Sequence, residues 1–324
     1  MRVICGPVNT AGSAYRLAHA LRREGIDAES AAIAYSARRT PLTWPVDHLL
    51  PNRWATPDHR RYLARFTHSI LWSGLSLRRP GRWFDEDQPV GREGVLAVGS
   101  ELRLPAVHRR LEPWSPFGDD AFSKKLLLYA ARFHRRLARR RVPLFVHTWG
   151  MLDYATSIVL PIIGDPMPIG PLLERKRPLA LYGPTNGLLK GSRHVEAIDW
   201  AGFELSRPAL LQPAEMANAI GDADILLGGL VLGDYGLTEI QGMAAGRLVV
   251  ANVGPRVRSK MPEDPPIVHA TPDTLAAVVA DVLANRERYR EIAARGPGFV
   301  ERWHDGRYSV SQLRPFLGLA QVAA

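Results

Sequence analysis

Apolar positions along the chain come in short runs, separated by stretches with helical periodicity. RVICGPV opens with a buried-strand pattern, and NTAGSA follows as a small-residue loop. AYRLAHALRREG then sets Tyr15, Leu17 and Leu21 at helical spacing and closes on Gly25. DAESAAIA reads as the second strand of a βαβ unit. From Tyr35 to about Arg65 the text is irregular, with several Pro and Trp. HSILWSG, EGVLAVGS, PLFVHTW and TSIVLPII read as four further buried strands. The Pro- and Gly-rich stretch Gly164 to Arg177, GDPMPIGPLLERKR, reads as a linker.

Beyond it the alternation resumes. PLALYGPTN is strand and loop, GSRHVEAIDWAG helix, FELSRPALLQ strand, PAEMANAIGDA helix, DILLGG strand, LTEIQGMAAG helix and RLVVANV strand. TPDTLAAVVADVLANRERYREIAARGPGFVERWHD reads as helix, turn and helix, and SVSQLRPFLGLAQ as a last short helix. Strands alternating with helices predict an α/β fold with mostly parallel sheets. No repeat with a solenoid period is visible.

Length turns this into two domains, since 324 residues suit two units of roughly 150 residues each. The net charge of +10 favours anionic partners, without choosing among nucleotides, phosphorylated sugars, nucleic acid and lipid surfaces. The single cysteine, Cys5, has no internal partner for a disulfide, which suits a reducing cytosol. No apolar signal region follows MRVICGPV, and runs such as ADILLGGLVLG fall short of the roughly 20 residues that span a bilayer. The expectation is a soluble, cytoplasmic protein, at most membrane-peripheral.

Three landmarks in the second half carry a family resemblance. YGPTNGLLKG, GDYGLTEIQGMAAGRLVVANV and the run from PPIVHATPDTL to FVERWHD resemble, in order, the phosphate-binding strand-loop, the donor-sugar loop with its ribose-binding helix, and the terminal helices of retaining GT-B glycosyltransferases. These are the family 4-like enzymes, or glycosyl transferases group 1. NTAGSAYRLAHALRREG is similar in outline to the family's opening glycine loop and helix. The resemblance implies an α/β GT-B fold, two Rossmann-like domains facing each other across a cleft. It implies an N-terminal acceptor domain over residues 1–165, a C-terminal donor domain over 166–306, and a terminal helix over 307–324 crossing back to the first domain. The family usually carries a Glu near the start of the donor loop and another in E-A-M-A-x-G. Here Gly233 and Gln241 occupy those positions, with Asp234 one residue on. An Arg that relatives often carry near the phosphate-binding Lys has no counterpart, and Gly187 stands close to its place.

The resemblance implies sugar transfer from a nucleotide-diphosphate-sugar, a UDP- or GDP-sugar, to a small-molecule or glycan acceptor hydroxyl, with retained configuration and no required cofactor or metal. With ten His and one Cys, the sequence itself shows no metal-ligand spacing. Lys190, after a strand and loop, is set to meet a diphosphate as a point charge, or stands as a solvated lysine before a glycine turn. Thr185 and Asn186 donate to the same phosphate or cap the helix. Gly236, Leu237 and Thr238 start a helix whose N–H groups form an anion site. Gln241 is placed on the ribose in weaker form, since an amide accepts one bond and donates one where a carboxylate accepts two; Asp234 bonds sugar hydroxyls or is an ordinary turn residue, Tyr235 lines the donor loop, and Glu239 is assigned to solvent or a neighbouring base. Gly12 and Ser13, in NTAGSA, suit a phosphate or sugar, or simply make a tight turn. GSELR offers Glu101 as a catalytic-face carboxylate or a helix-start residue, with Ser100 and Arg103 on the acceptor side. His147 ends its strand either at the acceptor or as a buried hydrogen-bonded histidine, and His68 is assigned to structure.

Residues 122–142 form an amphipathic helix. Phe122, Leu126, Tyr129, Phe133 and Leu137 line one face, and Lys and Arg fill the rest. A solvated face and docking to anionic lipid both fit this pattern, and no nucleic-acid motif accompanies it. Two other functions stand beside transfer: a non-catalytic nucleotide- or sugar-binding protein of the same fold, and an epimerase, for which no catalytic constellation is visible.

Overall fold

The structure is a computed structural model that describes residues 1–33, 44–50, 56–79 and 81–321. Parts of the irregular stretch after Tyr35 lie outside the described residues. The chain divides into two α/β units. One comprises Met1–Pro105, Asp120–Ile163 and the chain from Gly306, the other Ala106–Asp119 and Gly164–Asp305.

The first unit holds β1 (Arg2–Gly6), β2 (Asp27–Ile33), β3 (His48–Leu50), β4 (His68–Trp72), β5 (Arg92–Ala97), β6 (Leu144–Val146) and β7 (Ile158–Val159). They form one sheet in the order β3-β2-β1-β4-β5-β6-β7. Every pairing is parallel, Val3 lying between Ala28 and His68. β3 falls within the stretch that reads as irregular, because three residues on a sheet edge are too few to show a period. TSIVLPII yields only two paired residues. Its chain is held beyond them by Leu160 N–H donating to Val146 O at 2.8 Å.

The helices of this unit are α1 (Ser13–Arg23), α2 (Pro57–Leu63), α4 (Ala121–Arg140) and, at the end of the chain, α13 (Arg307–Leu313). Leu17 and Leu21 of α1 are buried with Val3, Cys5, Ile70 and Trp72, and α13 adds Val310 and Leu313 to the same core. Each large aliphatic side chain so buried contributes on the order of 2 kcal/mol. Burial pushes the Cys5 thiol far up, so it stays protonated and inert.

α4 differs from its expected face. Asp120 caps it by accepting from Ser123 N–H at 3.0 Å. Ser123, Leu126, Ala130 and Phe133 are buried, whereas Phe122 is exposed. Arg136 pairs with Asp85 and Glu86, and Arg140 with Glu93, so part of the basic face is neutralised by a preceding loop and strand.

The second unit holds β8 (Leu179–Leu181), β9 (Glu204–Ser206), β10 (Ile225–Leu227), β11 (Leu248–Ala251) and β12 (Ile267–His269), all parallel, in the order β12-β11-β10-β8-β9. β12 lies where the sequence pattern runs directly into helices. Around the sheet are α5 (Gly187–Lys190), α6 (Ser192–Glu196), α7 (Pro213–Asp222), α8 (Leu237–Ala244), α9 (Pro255–Arg258), α10 (Leu275–Ala284), α11 (Arg286–Ala294) and α12 (Gly296–Trp303). α3 (Pro105–Leu111) comes from the N-terminal half of the chain, yet all but its first residue belongs to this unit.

Gly164 to Arg177 is not a free linker. Leu173 is fully buried and its N–H donates to Asp224 Oδ1 at 2.7 Å. The buried Arg247 donates to the carbonyls of Gly170, Pro171, Ala223 and Ala245, fastening this segment to the sheet.

Candidate functional site

In an open parallel sheet, ligands bind beyond the carboxyl ends of the strands, where the strand order reverses. In the second unit that point lies between β8 and β10. The loop after β8 leads to Lys190, and the loop after β10 leads to α8. Their side chains meet there: Lys190 Nζ donates to Glu239 Oε1 at 2.7 Å.

Glu239 therefore does not point to solvent or to a base. It is fully buried and accepts three hydrogen bonds, from Lys190, Gly229 N–H at 2.9 Å and Gly236 N–H at 3.0 Å. Gly228 has no side chain where a Cβ would stand 2.7 Å from Glu239 Oε1. Burial works to raise the Glu239 pKa, but the charge and hydrogen bond of Lys190 and the backbone N–H groups outweigh it and hold the carboxylate below its ordinary range. A carboxylate at the third position of a helix is a familiar N-terminal cap, and Gly-x-x-Glu was legible as such.

This changes the expected anion site at Gly236 to Thr238. The Gly236 N–H is taken by Glu239, which leaves the Leu237 and Thr238 positions, both half-buried. Lys190 keeps a side chain 29% exposed, and an ammonium has three donors, so one bond to Glu239 leaves capacity for a ligand. Asn186 caps α5 through Leu189 N–H at 3.1 Å, while Thr185 is exposed beside it. Gln241 is buried in α8, one turn beyond Leu237. Asp234 is half-buried and accepts from Tyr235 N–H at 2.9 Å. Tyr235 is corrected from a ligand contact to a packing residue: its ring is buried and its hydroxyl bonds His304 Nε2 at 3.0 Å.

The first unit departs further from expectation. The small-residue loop before α1 is already filled. Asn9 Oδ1 accepts from the N–H groups of Ala14 and Tyr15, so two of the first donors of the helix are taken by the chain itself. Ser13 Oγ accepts from the Trp72 indole at 2.7 Å and donates to Thr10 O. A Cβ on Gly12 would lie 2.8 Å from both Arg16 and Trp44, which stack on each other. Glu101 is likewise corrected: it is 2% exposed, and its carboxylate accepts from Val98 and Gly99 N–H, folding the turn after β5. Arg103 is buried near Gly99, and Ser100 is half-buried.

His147, at the end of β6, is buried and donates from Nδ1 to Leu160 O at 3.0 Å, because a carbonyl can only accept. Its Nε2 and the Thr148 hydroxyl have no hydrogen-bond partner among the described residues. Burial lowers its pKa from 6.5 to about 4, so it is a neutral imidazole at pH 7 with a bare lone pair. Below pH 6.5 the unfolded chain takes up a proton here that the folded protein does not, so stability falls as pH drops towards 4. Between pH 7 and 5 the expected loss is about 2 kcal/mol, at about 1.4 kcal/mol per pKa unit. Urea melts of the protein and of His147→Asn at both values check this. An equal pH loss in the two proteins would refute the assignment.

No protein-family model and no curated protein matches the chain. Solved structures do. HepE from Anabaena, in complex with UDP and glucose, superposes with a TM-score of 0.63 at 10% identity, over 98% of this chain and 99% of that one. Sucrose-phosphate synthase from Thermosynechococcus elongatus gives 0.61 at 13% identity, over 98% of both chains. WaaG, a glycosyltransferase involved in lipopolysaccharide biosynthesis, gives 0.54 at 10% identity, over 95% of this chain and 97% of that one. With the two parallel sheets, these matches show the fold, which is α/β of the GT-B type.

Proposed function

We propose that this protein is a glycosyltransferase that moves a sugar from a nucleotide-diphosphate-sugar, a UDP- or GDP-sugar, to an acceptor hydroxyl with retention of configuration. The observation that carries the reading is Lys190, a partly exposed ammonium at the strand-order reversal of the second sheet in a GT-B fold. A cation there stabilises the charge that develops on a leaving diphosphate. The bond from the anomeric carbon to phosphate oxygen breaks, the acceptor oxygen bonds the same face of that carbon, and the acceptor proton passes to the diphosphate. No metal is needed for this in principle, because Lys190 and the α8 start bear the charge; Thr185, Asn186, Asp234 and Gln241 complete the donor contacts. That HepE is solved with UDP and glucose is in keeping with such a donor.

On the first unit, His147 Nε2 and Thr148, at the end of β6, are the groups we assign to a small-molecule or glycan acceptor hydroxyl, with Ser100 and Arg103 after the neighbouring strand β5. We place the protein in the cytoplasm. No helix is long and apolar enough to cross a membrane among the described residues. α4 exposes Leu127, Leu128 and Phe122 beside Lys124, Lys125, Arg132 and Arg135, a combination suited to peripheral contact with anionic lipid.

A second reading, nucleotide binding without transfer, is favoured by one observation: Glu239 already engages both Lys190 and the Gly236 N–H. A thermal-shift panel of UDP, GDP, ADP, TDP and their sugars separates the two. Transfer predicts stabilisation by at least one nucleotide, about 2.7 kcal/mol at one hundred times its Kd, together with slow hydrolysis of the matching sugar donor. Stabilisation with neither hydrolysis nor transfer favours the binding protein. No stabilisation by any nucleotide refutes both.

A further inference from the structure

The donor loop after β10 has glycine at 233, where the resemblance leads one to expect glutamate. In three dimensions the place is not empty. Gly233 has φ of +69°, and a Cβ built on it would overlap the carboxylate of Glu112. Glu112 follows α3, its N–H donating to His108 O at 2.9 Å. That segment packs in the second unit through His108, whose Nε2 lies 3.3 Å from Leu232 O. Glu112 pairs with Arg256 of α9, its side chain 10% exposed and that of Arg256 25% exposed. The exposed His269, at the end of β12, feels the Glu112 charge. The pair therefore stands at the carboxyl edge of the second sheet, Glu112 coming from beyond α3 and packing against the loops that follow β10 and β11.

We infer that Glu112, held by Arg256 against Gly233, is a specificity-determining residue that binds hydroxyl groups of the donor's sugar. The inference rests on the proposed transferase reading. A carboxylate offers about four lone-pair sites, and Arg256 leaves some of them open to hydroxyl donors. Phosphate is excluded as the partner, because like charges repel and Lys190, packed against Gly229, already stands in place for that role. Lys190 packs against Gly229 and Glu112 against Gly233, and the Gly229–Gly233 span is at most about 14 Å, so the ammonium and the carboxylate flank one short loop within reach of a single sugar diphosphate. While Glu112 is present glycine is required at 233, because any side chain there displaces the carboxylate; with Glu112 removed, Asp is among the few other residues that enter the positive-φ region.

The test is calorimetric titration of UDP, UDP-glucose, GDP and GDP-mannose into the full-length protein and two variants. Glu112→Gln keeps the size but removes the charge and replaces one acceptor oxygen with an NH2 donor. It is expected to bind the free nucleotide as the unaltered protein does, and the nucleotide-sugar at least tenfold more weakly. The double change Glu112→Ala with Gly233→Asp returns a carboxylate to the same place from the loop itself, and is expected to recover part of the sugar-dependent affinity lost in Glu112→Ala. Equal affinity of Glu112→Gln and the unaltered protein for the nucleotide-sugar would overturn the inference and leave the transferase reading standing. So would a lower melting temperature with both affinities unchanged, which marks a structural ion pair. If the unaltered protein binds none of the four probes, the transferase reading itself fails and takes the inference with it.

Discussion

Lys190→Met is expected to lower both nucleotide affinity and stability, and the two losses are separable. Removing one partner of a buried ion pair costs roughly 3–5 kcal/mol, because the other charge is left in a low-dielectric site. Here the figure is discounted to about 2–3 kcal/mol, since the lysine is partly exposed and Glu239 keeps two backbone N–H donors. The pH dependence carries the signature. In the unaltered protein the Glu239 pKa is depressed, so its contribution is present above the ordinary carboxylate range and fades as pH falls through the folded value. Without Lys190, burial dominates and raises that pKa. The penalty is then largest at neutral pH and shrinks towards pH 4. The double variant Lys190→Met with Glu239→Gln removes both charges and is expected to regain most of the stability. Nucleotide affinity is expected to stay down by about a hundredfold, about 2.7 kcal/mol, in the single and double variants alike. Urea melts beside nucleotide titrations measure the two effects. Recovery of both properties in the double variant would make Lys190 a purely structural lysine.

Arg247→Met is expected to be the most damaging single substitution in the second unit. The side chain is 2% exposed and donates to four backbone carbonyls that belong to the segment after Gly164, to the turn before β10 and to the turn after α8. Burial lowers the guanidinium pKa, which the Asp224 charge partly offsets, and the residue remains a cation at any working pH. Methionine fills the volume but leaves the acceptors unpaired, at about 1–3 kcal/mol each where water cannot reach them. The total, roughly 4 kcal/mol or more, is a large share of an ordinary domain's stability. Lysine is not expected to rescue, because one ammonium lacks the planar fork. Chemical denaturation of Arg247→Met, Arg247→Lys and the unaltered protein checks this, and a loss below 1 kcal/mol in the methionine variant would refute it.

How much of the site could be read in advance differs residue by residue. The place of Lys190 after a strand and a short loop was legible, but spacing alone fitted a solvated lysine as well as a ligand-binding one, and only the family resemblance singled it out. The cap made by Asn186 was legible for the same local reason. The fates of Gly12, Ser13 and Glu101 were not. Each sits in a loop whose composition fits a ligand, and each proves to be occupied by groups from its own unit: Asn9 and Trp72 around the first loop, the Val98 and Gly99 N–H groups around Glu101. A small polar loop before a helix reads alike whether a phosphate or a side chain satisfies its donors.

Glu239 and Glu112 mark the boundary most clearly. In GDYGLTEIQG, period and spacing alone establish a glycine-rich loop opening a helix, and hence a strand-helix unit with its ends at the carboxyl edge of a parallel sheet. That much follows from local physics: apolar periodicity, glycine at the turn, a carboxylate in the first helical turn. Which carboxylate meets Lys190, and which one fills the space above Gly233, depends on chain segments far apart in sequence that the second unit brings together. Hydrogen-bond and charge pairing of that kind leave no period in the text, because they are set by where the strands end in space. The order of the sheet decided them, and the order of the residues did not.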